Sequence, residues 1–331
     1  MKKLIEKINK LNPNLILITS HINSDPDGMC SAVALKELLK KLGINSNITI
    51  GYENSTKVTR KIIEKLQLNI KQLSDTKNYK PDLIILIDVS NLEIIGKIKD
   101  LITNNIPFII IDHHHFEINK KYPPIYKIIK EDYTSTAELI YEMFEFFNIE
   151  LGIIEAKNLL LGILYDTKHF IIASNRTFHI VSKLISTEIN YKDIIKLLRY
   201  PMPYSEKIAR LKAGKRMKIH KMDDWILVTS YVSSHEASAC RSLITAGADI
   251  AIVESIKNKN LRISFRSSQK FYEETNISLG DICVELSNNY NKSNEIILSG
   301  GGHSTAAGLN KKGIDKSIMS KIIELLKIKL K

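Results

Sequence analysis

Short apolar runs, each followed at once by polar residues, constrain the fold of this chain most strongly. Leu15–Thr19, Leu83–Asp88 and Phe108–Asp112 have the length of buried strands, and helix-like segments separate them. Buried strand patterns that alternate with helical patterns are typical of a doubly wound sheet. We therefore predict an α/β fold: an N-terminal, mainly parallel sheet, a smaller C-terminal α/β domain, and a cleft between the two.

The chain length of 331 residues favours two domains. Pro201 and Pro203 flank a single residue in Tyr200–Tyr204, a spacing that disfavours helix and marks a domain boundary. We predict an N-terminal domain over residues 1–195, a linker over 196–215 and a second domain over 216–331.

Composition excludes several classes of protein. No apolar run approaches the roughly 20 residues that cross a bilayer, and no signal-peptide pattern follows the basic N-terminus. The three cysteines are far apart and form no CxxC pair, which argues against disulfides and thiolate zinc sites. We expect a cytoplasmic protein without membrane contact. The net charge of +12 suits an anionic partner, although an AT-rich genome would give the same lysine excess.

Acidic and histidine residues follow the apolar runs at the points where ligands bind to parallel sheets. Mixed carboxylate and imidazole ligands without thiolate suit Mn²⁺, with Mg²⁺, Co²⁺ or Fe²⁺ as alternatives. Two such cations can activate a water and stabilise both oxygens of an in-line displacement at phosphorus. The residues are His21, Asp25, Asp27, Asp88, Asp112, His113, His114 and Asp166.

These motifs, in this order, resemble the DHH phosphoesterase superfamily, which is named for a triplet present here as Asp112-His113-His114. The HxxxDxD motif is present at His21–Asp27, and Gly162–Thr167 is similar to the fourth motif of the family. Gly300–Gly308 is similar to the GGGHxxAAG signature of the DHH-associated domain. The resemblance therefore covers both halves of the chain.

The resemblance implies two metal sites that share one carboxylate. His21, Asp25 and Asp88 would hold the first cation, which we expect to be Mn²⁺. The second would be held by Asp27, Asp88, His113 and Asp166. Asp112 would orient a histidine, and His114 would lie near the scissile phosphate. Arg266, a glycine loop of Gly300, Gly301 and Gly302, and His303 would bind the substrate.

The resemblance also implies an activity and its substrates. NrnA-type members hydrolyse short single-stranded oligonucleotides to 5′-mononucleotides and dephosphorylate 3′-phosphoadenosine 5′-phosphate. The alternatives are hydrolysis of cyclic or linear dinucleotides, a RecJ-like single-strand exonuclease, a manganese pyrophosphatase, and a non-catalytic subunit that binds nucleic acid. A homodimer is compatible with the resemblance.

Two positions depart from the family pattern. Many relatives carry an arginine a few residues after the second-motif aspartate, where this chain has Ile94-Ile95, and a glycine where it has Lys168.

Overall fold

A computed structural model describes residues 1–73, 79–186, 188–292, 298–315 and 317–330. The chain divides into two compact units, Met1–Tyr200 and Pro201–Lys331. The predicted linker over 196–215 differs from what the structure has there. Helix Tyr204–Lys215 belongs to the second unit and buries Ala209 and Ala213, so only residues 199–203 lie between helices. The two prolines end the helical pattern, but they occupy only this short connection.

The first unit is built on a parallel sheet. Its strands are β1 Leu15–Thr19, β2 Asn23–Ser24, β3 Asn47–Tyr52, β4 Asn54–Ser55, β5 Lys71–Gln72, β6 Leu83–Ile87, β7 Phe108–Asp112 and β8 Tyr126–Ile129. The sheet order is β5-β3-β1-β6-β7-β8, and β2 pairs only with β4. The chain runs outward from β1 in one direction and then from β6 in the other. The direction of winding therefore reverses between β1 and β6, a place where such sheets bind ligands.

Helices cover both faces of this sheet, as a doubly wound fold requires. They are α1 Lys2–Leu11, α2 Pro26–Lys41, α3 Lys57–Lys65, α4 Ile98–Thr103, α5 Thr136–Phe146, α6 Ile153–Asp166, α7 Asn175–Ile185 and α8 Tyr191–Leu198. On β6, Ile85 and Ile87 pack into the core with α2, α5 and α6, whereas Ile84 and Leu86 pack on the other face with α4. The fully apolar sequence of β6 follows from this burial on both faces. The predicted α/β class is confirmed.

The second unit has a mixed sheet of six strands in the order β13-β14-β12-β11-β10-β9, in which only β10 and β11 are parallel. Its elements are α9 Tyr204–Lys215, β9 Lys218–Met222, β10 Trp225–Val232, α10 Glu236–Thr245, β11 Ile250–Lys257, β12 Asn260–Ser267, α11 Gln269–Thr275, α12 Leu279–Asn291, β13 Leu298–His303, β14 Ala306–Lys312 and α13 Ser317–Lys329. Across the described residues of both units, none of the helices has the length and apolar character needed to cross a membrane.

The glycine run is not a loop, contrary to the prediction. Gly300, Gly301 and Gly302 lie inside β13 and pair with β14. Gly300 faces α12, where a Cβ would lie 3.0 Å from the carbonyl oxygen of Cys283. Gly302 has a φ of 153°, and a Cβ there would overlap the carbonyl oxygen of Ala306. A Cβ on Gly301 would meet no heavy atom of the described chain within 4 Å. Two of the three glycines are therefore required by packing.

We expect Gly302→Ala to lower the free energy of unfolding by about 1–3 kcal/mol, because the added methyl group forces β13 away from β14. Gly301→Ala is the matched control and should change it by less than about 0.5 kcal/mol. Urea denaturation of both variants measures the difference. Equal stability of the two variants would contradict the assigned register.

Candidate metal centre

The first group of site residues lies where β1 ends and α2 begins. Asp25 is the N-cap of α2, and its Oδ1 accepts a hydrogen bond of 3.1 Å from the backbone N–H of Gly28. The His21 Nε2 lies 3.9 Å from the Asp25 Oδ2. Asp27, in the first turn of α2, is completely buried. A side chain at Gly28 would overlap Ser20, so glycine lets the first turn of α2 approach the end of β1.

Asp88 follows β6 and lies at the centre of the site. Its backbone has a φ of 57°, a left-handed conformation that few residues other than glycine, asparagine and aspartate adopt. Its carboxylate is 4.0 Å from the His21 Nε2, 3.7 Å from the His113 Nε2 and 3.2 Å from the His114 Nδ1. Asp88 therefore joins the residues after β1 to those after β7.

The three side chains of the Asp-His-His triplet lie close together but have different hydrogen-bond partners. His113 Nδ1 lies 3.2 Å from the carbonyl oxygen of Tyr133, which can only accept, so Nδ1 carries the proton. Its Nε2 is consequently the nitrogen that can give up a proton and bind a metal, and it lies 3.2 Å from the Asp166 Oδ2. Asp112 is fully buried. Its Oδ1 accepts a hydrogen bond from the backbone N–H of His114 and lies 3.1 Å from the Nδ1 of the same residue. Asp112 thus orients His114, whose side chain is half exposed.

The N-terminus of α5 binds the Asp27 carboxylate. The backbone N–H groups of Thr136 and Ala137 donate to its two oxygens at 2.7 Å and 3.0 Å. Gly162 of α6 has no room for a Cβ, which would lie 2.7 Å from an Asp27 oxygen. These backbone partners, with the Tyr133 carbonyl, are the functional groups that sequence motifs do not reveal. The segment Ser135–Glu138, which resembles the family's segment between the third and fourth motifs, is a sequence signal for them, because Ser135 and Glu138 have the spacing of a helix N-terminus.

The predicted ligands come together in the first unit. Within each of three sets, ligand atoms lie within 4.8 Å of one another: His21, Asp25 and Asp88; Asp27, His113 and Asp166; and Asp88, Asp112, His113 and His114. His115 points away from the sets and pairs with Glu131 at 2.9 Å. A cavity of about 300 Å³ borders the cluster, lined by His21, Asp25, Asp88, Ser90, Ile94, His114 and Asp166.

The unsatisfied atoms of the cluster fit divalent cations. Among the described residues, three buried atoms of the site lack a well-aligned hydrogen bond and have at most an ion-pair contact near 3.2 Å: Asp88 Oδ1, Asp112 Oδ2 and His113 Nε2. A buried acceptor without a partner costs about 1–3 kcal/mol, so such atoms indicate a missing ligand. Carboxylate oxygens and a neutral imidazole nitrogen are donors that divalent metals bind. The cluster therefore supports divalent metal binding.

In the metal-free site, buried carboxyl groups lie close together, and both burial and mutual repulsion disfavour their ionised forms. Burial raises the pKa of Asp27 well above its usual range, and the nearby charges of Asp166 and Asp88 raise it further. Burial likewise raises the pKa of Asp88, although a hydrogen bond from His114 opposes the shift. Hydrogen bonds to Asp112 and Asp88 raise the pKa of His114 to about 10, so its imidazole is positively charged at neutral pH.

The substrate residues predicted from sequence lie in the second unit. Arg266 on β12 and His303 on β13 are both opposite Ala306 of β14, so they share one face of the sheet. Arg266 is partly buried and donates from Nη1 to the carbonyl oxygen of Phe265 at 3.1 Å. His303 is exposed at the end of its strand.

Comparison with known proteins identifies the family. The model of the DHH family, N-terminal domain, matches residues 15–165, which include every predicted metal ligand except Asp166. An uncharacterized protein of Methanocaldococcus jannaschii is 34% identical over 316 residues, 92% of this chain and 90% of that protein. The chain belongs to the DHH family. It is accordingly a hydrolase that acts on phosphoester bonds.

Two further similarities concern activity and fold. The Streptococcus mutans protein named "Probable bifunctional oligoribonuclease and PAP phosphatase NrnA" is 30% identical over 203 residues, 60% of this DHH chain and 60% of that protein. An exopolyphosphatase-related protein from Bacteroides fragilis matches in structure with a TM-score of 0.68 at 19% identity, over 100% of this chain and 96% of that one. The second similarity supports the fold alone.

We expect the affinity for Mn²⁺ to rise with pH across the neutral range. The raised pKa values of Asp27, Asp88, His21 and His113 mean that the metal-free site holds protons that a cation must displace. Titration calorimetry in two buffers of different ionisation enthalpy should therefore record net proton release. Binding without proton release would contradict the arrangement.

We expect Asp88→Asn to stabilise the metal-free protein. Folding raises the pKa of the Asp88 carboxyl, so ionisation of this group destabilises the folded protein as the pH rises above the pKa of the unfolded chain, near 4. A neutral side chain of the same shape removes that destabilisation at pH 7. Asparagine also tolerates the left-handed backbone. The melting temperature in EDTA should rise by about 2–4 °C for each kcal/mol gained. Mn²⁺ should stabilise the unmodified protein more than the variant, and the reverse order would refute the metal assignment.

Proposed function

We propose that this DHH protein hydrolyses short oligonucleotides to 5′-mononucleotides and removes a phosphate from 3′-phosphoadenosine 5′-phosphate. It would use two divalent cations for both reactions, with Mn²⁺ as the preferred metal. The observation that carries the proposal is the pair of adjacent ligand sets, joined by the 3.7 Å approach of Asp88 to His113, beside a His114 that Asp112 orients. The name of the S. mutans relative supports the choice of substrate.

The ligand sets assign the residues to two sites. His21, Asp25 and Asp88 would hold one cation. Asp27, His113 and Asp166 would hold the other cation. Asp88 could reach this second cation as well, because the Asp88 Oδ1 lies 3.7 Å from the His113 Nε2. When bound, the cations supply Lewis acidity that activates a water and offsets charge in the phosphoryl transition state.

His114 contributes positive charge at the same place. Its Nδ1 is occupied by Asp112 and Asp88, which leaves Nε2 as the donor toward a substrate phosphate. A protonated imidazole can stabilise negative charge on the phosphoryl oxygens or donate a proton to the leaving oxygen. Asp112 is a positioning residue, because it contacts His114 rather than the substrate.

The substrate would be held by the second unit. Arg266 offers a planar guanidinium that suits a phosphate, and His303 on the same sheet face adds a second donor. Gly301 leaves the surface beside them open, so a nucleotide can approach the backbone closely. Gly300 and Gly302 would act indirectly, by allowing β13 to pack between α12 and β14.

We expect His114→Gln to lower kcat on a labelled dinucleotide by about 10²–10⁴-fold, the usual loss for a group that transfers protons or charge in the transition state. His115→Gln is the matched control, because His115 is exposed and paired with Glu131, and it should keep the activity of the unmodified protein. Mononucleotide release with Mn²⁺ measures both. Equal rates in the two variants would remove His114 from the mechanism.

A substrate panel separates the related activities. It should contain a dinucleotide, longer RNA and DNA, 3′-phosphoadenosine 5′-phosphate, a cyclic dinucleotide and pyrophosphate, each with Mn²⁺. Turnover of the dinucleotide above the others supports the proposal. Preference for the cyclic dinucleotide or for pyrophosphate replaces it with that activity, and no turnover despite bound metal favours a non-catalytic role.

A further inference from the structure

A second basic cluster lies on the sheet of the second unit, away from Arg266 and His303. A cavity of about 950 Å³ opens at the other end of β12 and β14. Four cationic residues line it: Lys257, Arg262, Lys311 and Lys312. No acidic side chain occurs among the described residues that line it. Lys311 is buried on the opposite face of the sheet, beside Tyr290, so we call Lys257, Arg262 and Lys312 the distal basic cluster.

The distal basic cluster and the proposed substrate residues share one face of the sheet. Side chains two residues apart on a strand point to the same side, so Arg262, Ser264 and Arg266 of β12 form one row. The pairing of strands places Ser299 and Asn310 beside Arg262, as it places His303 and Ala306 beside Arg266. Arg262 and Arg266 are four residues apart, about 14 Å along the strand.

Small residues form the surface between the two ends. Ser264 is opposite Gly308, which is opposite Gly301 on the edge strand. A Cβ on Gly308 would meet only the carbonyl oxygen of Ile263, at 3.3 Å, and a Cβ on Gly301 would meet nothing within 4 Å in the described chain. Helix α10 packs against β11 and against part of β12, where its Cys240 thiol lies 3.1 Å from the carbonyl oxygen of Ser264, so Ser264 and Arg266 are partly buried. The open surface therefore runs along β14 and β13, beside a β12 that α10 partly covers, and we call it the track.

The charges of the distal basic cluster are available to a ligand. Among the described residues, Lys257, Arg262 and Lys312 have no carboxylate partner within ion-pair distance. Arg262 donates only from Nε, to the Asn310 side chain at 3.1 Å, which leaves its two terminal nitrogens open. Guanidinium and ammonium groups in an open groove suit the phosphates of a nucleic-acid backbone.

We propose that this face is a track for a single-stranded oligonucleotide, in which the distal basic cluster binds backbone phosphates beyond the terminal nucleotide held at Arg266 and His303. The inference rests on the proposed function and deepens it, because it assigns the enzyme substrates longer than a dinucleotide. Asn258, Asn260 and Asn310 in the cavity favour nucleic acid over inorganic polyphosphate. Their amides both donate and accept, and a polyphosphate chain offers acceptors only.

The test compares two double variants with equal loss of charge. Arg262→Ala/Lys312→Ala removes two exposed members of the distal basic cluster. Lys218→Ala/Lys221→Ala removes two exposed lysines from β9, at the opposite edge of the same sheet. Anisotropy measures binding of a labelled hexanucleotide to the metal-free protein, and a second assay measures kcat/KM on a dinucleotide with Mn²⁺.

We expect the first double variant to bind the hexanucleotide at least about tenfold more weakly, the loss that one charge-assisted contact gives. The slope of log affinity against log salt should fall by about 0.7 for each phosphate contact removed. The β9 variant should keep hexanucleotide binding, and both variants should keep dinucleotide hydrolysis.

Three results would overturn the inference: unchanged hexanucleotide binding in the first variant, an equal loss on the dinucleotide, or tighter binding of polyphosphate than of the hexanucleotide by the unmodified protein. Failure of the proposed function gives a different pattern. The unmodified protein would then leave the dinucleotide intact, while hexanucleotide binding would still depend on Arg262 and Lys312, and that result would support the track.

Discussion

The repulsion among buried carboxylates at the edge of the parallel sheet is the interaction on which the catalytic unit depends. β1, β6 and β7 are neighbours, and the winding of the sheet reverses between β1 and β6. Their exits therefore bring His21 and His113 within 4 Å of Asp88. Burial raises the pKa of Asp88 and of Asp27, because water does not reach these carboxyl groups to stabilise their negative charge. Bound divalent cations would offset this cost and would thereby couple metal binding to folding of the unit.

Asp27 shows how the surrounding helices fit this constraint. Its carboxylate receives two backbone hydrogen bonds from the start of α5, where the helix dipole also favours negative charge. Gly162 lets α6 pack against the same carboxylate. One side chain thus fixes α2, α5 and α6 together and still presents oxygens to the cluster. A change at Asp27 therefore affects packing as well as any metal, whereas Asp88 follows a strand and contacts mainly other site residues.

The sequence predicts the catalytic side of the protein better than the substrate side, for physical reasons. The strand patterns of β1, β6 and β7 are local, and the first polar residues after them must lie at the sheet edge. The sequence therefore predicts both the α/β fold and the residues that cluster around Asp88. The partners of Asp27 and His113 are backbone groups of Thr136, Ala137 and Tyr133. A residue of any type has these groups, so the sequence does not identify them. The glycine run fails as a loop prediction because pairing with β14 and packing of α12 are long-range contacts, and a glycine strand has no alternating apolar pattern.

The same glycine strand connects architecture to substrate length. Gly300 and Gly302 are fixed by packing, so their presence in the motif does not by itself require a ligand. Gly301 has free space and lies on the face that joins Arg266 to Arg262. A surface that is small-sided in the middle and basic at both ends binds a chain by its backbone, because among the described residues the row between those ends carries no aromatic side chain for base stacking. The proposed track would therefore hold oligonucleotides with little preference for sequence, and selectivity would come from the length of strand that reaches the distal basic cluster.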